Sequence, residues 1–120
     1  MAFCRWFDRS RKSAGLRASD DVGTSRLLTE WEWQLCATGS SQRSWPWGDE
    51  PDSSEAPRCN VDARFGGTTP VGVFPLGVSS ERGLADLAGN VWEWTCSEDG
   101  ALRVLRGGSW DDTAGHARAS

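Results

Sequence analysis

The stretch Asn90-Val91-Trp92-Glu93-Trp94 sets a carboxylate three residues after a carboxamide, with a tryptophan on either side of the carboxylate and Ala88-Gly89 just upstream. Two uses compete for these polar groups. In one, Glu93 is a buried carboxylate paired with an arginine such as Arg106, and Asn90 is a turn residue that caps local backbone. In the other, the rings hold Asn90 and Glu93 in place for chemistry. The remaining reactive side chains are sparse. Cys4, Cys36, Cys59 and Cys96 lie 32, 23 and 37 residues apart, contain no C-x-x-C pair and share the sequence with a single histidine, His116. That spacing gives a zinc site little support. Buried free thiols are the default expectation where no secretion signal is visible, with disulfides left open. Arg26 and Glu30 are expected to be structural polar anchors, and Asp49 to fix its turn through an Asx-type bond.

These groups must be positioned by a small body. A protein of 120 residues has room for one domain, since folded domains commonly run to about 100–150 residues. Its apolar runs fall far short of the roughly 20 residues that cross a bilayer, and no apolar signal core follows Met1, so it reads as soluble and cytoplasmic as written. Eight tryptophans, 14 glycines and no tyrosine point to a core assembled from irregular loops, because each indole N–H needs a partner when buried. Net charge is −4, with five basic and one acidic residue in 1–19 but three basic against nine acidic in 20–62. The basic start reads as a solvated helix face, and the acidic balance argues against a nucleic-acid partner.

Along the sequence, Ala2, Phe3, Trp6 and Phe7 have helical spacing, and residues 10–25 read as a loop. Thr29-Glu30-Trp31-Glu32 fits a capping box that opens a helix over about residues 30–38, with Trp33 and Cys36-Ala37 inward and Gly39 ending it. Residues 40–83 are loop-dominated, yet Trp45, Trp47, Val71, Val73, Phe74 and Leu76 predict that this loop is ordered and buries them. The backbone then turns at Ala88-Gly89-Asn90. A strand follows, with Val91, Glu93 and Thr95 on one face and Trp92, Trp94 and Cys96 on the other, the tryptophans being expected to form core. Ser97 to Gly100 make the next turn, and Leu102 to Leu105 make the returning strand.

Seven segments, AFCRWF, RLLTEWEW, WPWGDE, CN, GGTTPVGVFP, GLADLAGNVWEW and RVLRGGSW, occur here in an order that resembles the formylglycine-generating enzyme family, also called the sulfatase-modifying-factor domain. The resemblance implies an α+β, C-type-lectin-like fold with little regular structure. It also implies one partial domain over residues 1–120, with both ends of the family's domain lying outside the sequence. Leu28 stands where the family has proline, and Trp31 adds bulk.

In the family's oxidases, paired cysteines after the RGGS-aromatic motif bind copper and oxidise a substrate cysteine to formylglycine. The resemblance puts those positions at Asp112 and Ala117, so it assigns no catalytic residue here and copper is not expected. The implied function is a bacterial pseudoenzyme: a module that binds a protein or small-molecule ligand, or acts as a scaffold. The alternative is a fragment of an enzyme whose catalytic residues lie elsewhere, either a formylglycine-generating oxidase or an iron-dependent sulfoxide synthase of hercynine metabolism. The family also implies structural calcium. Asn90, Val91 and Glu93 match one site, and Asn60 and Val61 match a second, where Ala63 stands at an expected carboxylate and Asp62 is one position off.

Overall fold

The computed structural model describes residues 25–119, so the helix expected over 2–9 and most of the loop after it lie outside the described residues. The first element is helix α1, Glu30–Thr38. It starts where the sequence places a capping box. The Thr29 Oγ1 accepts the Glu32 amide at 3.1 Å, and the Thr29 amide returns a bond to Glu32 Oε2 at 2.8 Å. Two of the orphan donors at the helix start are thereby satisfied. Glu32 also grips Arg26 through bonds of 2.6 and 2.7 Å, so one carboxylate ties the incoming backbone to the helix. The helix ends at Gly39, whose left-handed φ of 64° lets its amide reach back to Leu35. Trp33 and Ala37, four residues apart, form the buried stripe, whereas Trp31 is 71% exposed.

Residues 40–92 carry almost no regular structure, only single helical turns at Gly39–Ser41 and Pro75–Gly77 and the isolated bridges Trp45↔Gly48 and Asn60↔Gly89. The Asx-type bond expected of Asp49 is present: its Oδ1 accepts the Ser44 amide at 3.0 Å across the WPWG turn. Trp45 stacks on Trp47 with ring centroids 5.2 Å apart. Trp45, Cys59, Val61, Ala88 and Ala117 make one small apolar cluster, and Trp33, Ala37, Leu87 and Ala119 make another. The loop is ordered by such anchors, but it does not bury all its apolar residues. Phe74 is inside, while Val71 is 82% exposed and Val73 and Leu76 also face outward. Closely spaced Pro70, Gly72 and Pro75 hold this segment on the surface, where alternation cannot aim every side chain inward.

Strands β1, Glu93–Asp99, and β2, Leu102–Arg106, form an antiparallel pair with Glu93 opposite Arg106 and Asp99 opposite Leu102. The register shifts between Trp94 and Glu98, where β1 advances four residues against two in β2, so β1 carries two extra residues there. The strand runs on to Asp99, and the turn is Gly100-Ala101, later than the sequence suggested. The parity read from the sequence holds, but the faces are inverted. Thr95 is fully buried and Glu93 half-buried, whereas Trp92 is 42% and Trp94 60% exposed. The tryptophans are therefore not the core of this strand. The physical reason is α1: Trp33 already fills the inner side, and its indole needs an acceptor, which Glu93 supplies.

The capping carboxylate gives a pH test. The guanidinium of Arg26, then the Thr29 amide and hydroxyl, hold the Glu32 carboxyl down at about 2 from an ordinary 4.5. A depressed folded value stabilises the protein above 4.5, and this contribution is lost as pH falls towards 2. Glu32→Gln keeps a capping group but cannot titrate. Its urea midpoint should therefore fall less steeply than the parent's across this acid range; parallel curves would refute the assignment.

Candidate functional site

Asn60 and Asn90 meet inside the protein, 30 residues apart in sequence. The Asn90 amide donates to the Asn60 carbonyl at 2.8 Å, and Asn60 bridges Gly89 in parallel sense. Gly89 is required there: it has φ of 72°, and a Cβ would lie 2.1 Å from the Asn60 oxygen. Asn90 follows at φ of 68°, a conformation that asparagine tolerates better than most residues. Its side chain behaves like a piece of strand. Oδ1 accepts the Thr69 amide at 2.9 Å, and Nδ2 donates to the Thr69 carbonyl at 3.1 Å. Asn60 Nδ2 donates to the Gly67 carbonyl at 2.9 Å and reaches Thr69 Oγ1 and Asn90 Oδ1 at 3.4 Å. Both asparagines are buried, and the Asn60 Oδ1 has no hydrogen-bond partner among the described residues.

The same turn receives the RGGSW segment. The Gly89 amide donates to Gly107, the Trp110 amide donates to the Asn90 carbonyl, and the amides of Ala63 and Asp62 donate to Trp110 and Asp112. Val61 is fully buried, and its carbonyl accepts the Arg64 amide. Val91 is exposed, so of the five residues singled out as calcium ligands it lies furthest from the interior.

Glu93 sits apart from the asparagine pair in its bonding. Its Oε2 accepts the Trp33 indole N–H at 2.6 Å. Burial pushes the carboxyl above its ordinary value, the indole bond opposes this, and nearby Asp86 adds to the rise. Arg106 is its backbone neighbour across the sheet but pairs elsewhere. Its guanidinium lies 5.1 Å over the Trp33 ring, donates to the Ala119 carbonyl at 2.6 Å and approaches Glu30 at 3.6 Å. Trp33 is thus held between a carboxylate at its N–H and a cation at its face. Among the described residues, no group of three or more His, Cys, Asp or Glu side chains converges as a metal cluster.

The two positions where the resemblance expects copper thiolates are both used structurally. The Asp112 carboxylate accepts the Ser109 amide at 2.8 Å and the Ser109 hydroxyl, and these bonds hold it below its usual value. His116 is mostly exposed and lies 4.0 Å from Asp112. Ala117 is fully buried against Gly108, where a Cβ would come within 3.1 Å of it. Cys36, Cys59 and Cys96 are free thiols, and burial with Asp52 nearby pushes Cys59 up to about 12. Cys4 lies outside the described residues. Asp52 itself is ion-paired to Arg64 at 2.9 Å, its carboxylate buried, in a geometry too bent for a linear hydrogen bond.

Thr69 and Gly67, the partners of the asparagines, carry no signal in the sequence that ties them to residues 60 and 90. Only the Ala88-Gly89-Asn90 turn announces itself. This yields a paired prediction. Gly89→Ala and Gly100→Ala both place alanine at positive φ, at a cost of about 1–2 kcal/mol. Gly100 has open space for the methyl, whereas Gly89 faces the Asn60 backbone. In urea melts Gly89→Ala should lose several times more stability than Gly100→Ala, and equal losses would show that the approach of these two backbones is not tight.

The family described as "Sulfatase-modifying factor enzyme 1-like domain" matches the protein over residues 1–120. The chain is 41% identical over 102 residues to "Inactive C-alpha-formylglycine-generating enzyme 2" of Bos taurus, covering 74% of this chain and 33% of that protein. It is 34% identical over 124 residues to "Hercynine oxygenase" of Mycolicibacterium smegmatis, covering 80% and 28%. It is 38% identical over 84 residues to "Formylglycine-generating enzyme" of Mycobacterium tuberculosis, covering 61% and 27%. The chain thus spans about a third or less of the length of these relatives. Among solved structures it is similar to "Treponema denticola variable protein 1", with a TM-score of 0.59 and 26% identity over 78% of this chain and 39% of that one. With the motif order, the asparagine-centred turn and these matches together, the chain belongs to the sulfatase-modifying factor enzyme 1-like domain family.

Proposed function

We propose that this protein is a ligand-binding or scaffold module on an α+β, C-type-lectin-like fold, without copper-dependent formylglycine-generating chemistry. One observation carries the reading: the side chains where a thiolate pair is expected are a carboxylate spent on Ser109 and a methyl packed against Gly108. Cu(I) selects soft sulfur donors, and neither group is one. Cys59 is a poor substitute, because a thiol whose value is pushed up to about 12 stays protonated at neutral pH. The cattle relative, itself named inactive, agrees with this reading.

The ligand is a protein or small molecule, in keeping with the acidic balance of the sequence, which disfavours nucleic acid. None of the described helices is long and apolar enough to cross a membrane. The three free thiols among the described residues favour a reducing compartment such as the cytoplasm. A second reading, in which this stretch serves a larger enzyme whose catalytic groups lie elsewhere, draws support from the similarity to a hercynine oxygenase.

Structural calcium belongs to the proposal. The buried Asn60 Oδ1 is an oxygen that no described donor reaches, and a carboxamide oxygen left to accept from elsewhere fits a hard cation. Asn60 and Val61 would hold an ion there, while Asn90, Val91 and Glu93 are the residues for another. The Asn90 and Glu93 side chains have hydrogen-bonded oxygens, at Thr69 and Trp33, so the first position fits a cation better than the second. A bound ion supplies charge that joins oxygens from separate loops.

Two experiments follow. The purified protein, incubated aerobically with Cu(I) and a cysteine-containing sulfatase-type peptide, should yield no formylglycine by mass spectrometry; product would overturn the non-oxidase reading. Calcium at about a hundred times its Kd should add about 2.7 kcal/mol of stability, seen as a Tm rise that EDTA reverses. A Tm indifferent to both would remove calcium and leave the binding reading standing.

A further inference from the structure

We propose that the tip of the β1–β2 hairpin, at Asp99-Gly100, is a site of spontaneous aspartate isomerisation, and that the fold shields the two asparagines. Asp99 is the only Asp or Asn followed by glycine in the sequence. The two asparagines, Asn60 and Asn90, both precede valine, and both are buried with their side chains tied to neighbouring loops. A branched next residue and a fixed amide each hinder ring closure.

The hairpin tip is the opposite case. Residues 98–103 are all exposed, and a Cβ at Gly100 would meet nothing within 4 Å. Glu98 is ion-paired to Arg103 at 2.8 Å, but the Asp99 carboxylate has no hydrogen bond or ion pair among the described residues. Only the pairs Glu98↔Arg103 and Asp99↔Leu102 lie beyond the register shift, so the tip is separated from the anchored part of the sheet. A segment with no buried apolar residue and two pairs outside an irregularity opens at little cost, which gives Asp99 the backbone freedom that ring closure needs.

The chemistry balances with water alone. The Gly100 nitrogen attacks the Asp99 Cγ, a new N–Cγ bond closes a five-membered imide, and the carboxyl oxygen departs as water. Water then returns at one of the two imide carbonyls. Cleavage of the new N–Cγ bond restores aspartate; cleavage of the original peptide bond instead routes the backbone through Cβ and Cγ and leaves isoaspartate. The extra backbone atom changes the spacing at the tip, so Asp99↔Leu102 and Glu98↔Arg103 can no longer keep their register.

The test ages the folded protein at neutral pH and physiological temperature and then maps its peptides, with methylation by an L-isoaspartyl methyltransferase as a second readout. A mass-identical, shifted peptide containing Asp99 should accumulate severalfold faster than any at Asp111 or Asp112, and Asp99→Glu should abolish both signals. A parallel sample in urea decides the structural claim. Isomerisation at Asp99 only in the unfolded protein, or no faster than at Asp111 and Asp112 in the folded one, would overturn the proposal.

Discussion

The backbone contact between Asn60 and the Gly89-Asn90 turn is the constraint on which the rest of the described structure depends. Four segments meet there: the one carrying Asn60, the nearby Gly67–Thr69 stretch, the turn itself and the Gly107–Asp112 segment. None of them is a helix or a strand, so their backbone groups have no regular ladder to join. The Asn90 carboxamide stands in for one, accepting from the Thr69 amide and donating to its carbonyl, while the Asn60 carboxamide donates to Gly67. Burial without such pairing would cost roughly 1–3 kcal/mol per polar group, which is why so irregular a fold needs these residues at its centre.

A second arrangement couples the helix to the sheet. Trp33 is the large buried side chain of α1, and its N–H is satisfied by Glu93 while Arg106 covers its face. Burying a carboxylate beside an indole raises its affinity for a proton, and the structure accepts that in return for a satisfied tryptophan. The consequence reaches the surface. With the inner side of β1 given to Glu93 and Thr95, Trp92 and Trp94 face outward, and the aromatic character of this strand lies on the exterior.

Around the segment after RGGSW the same logic applies. Asp112 and Ala117 each fill a structural need, the first as a cap for Ser109 and the second as a packing element against Gly108. The side chains of this segment serve the fold.

Much of this was legible in the sequence because it is local. The capping box at Thr29 and Glu32, the end of α1 at Gly39, the turn at Gly89 and the bond made by Asp49 follow from residue chemistry within a few positions. The order of seven motifs likewise determined the family. Which way β1 faces was not local: alternation defines two faces but not their sense, and that was decided by Trp33 arriving from 60 residues away to claim Glu93. The partners of Asn60 and Asn90 were equally out of reach, since an asparagine's type says that it needs donors and acceptors but not which loop brings them. Residue types determined the bonding requirements of this protein, and only the tertiary structure, by bringing distant backbone together in a confined interior, decided how they are met.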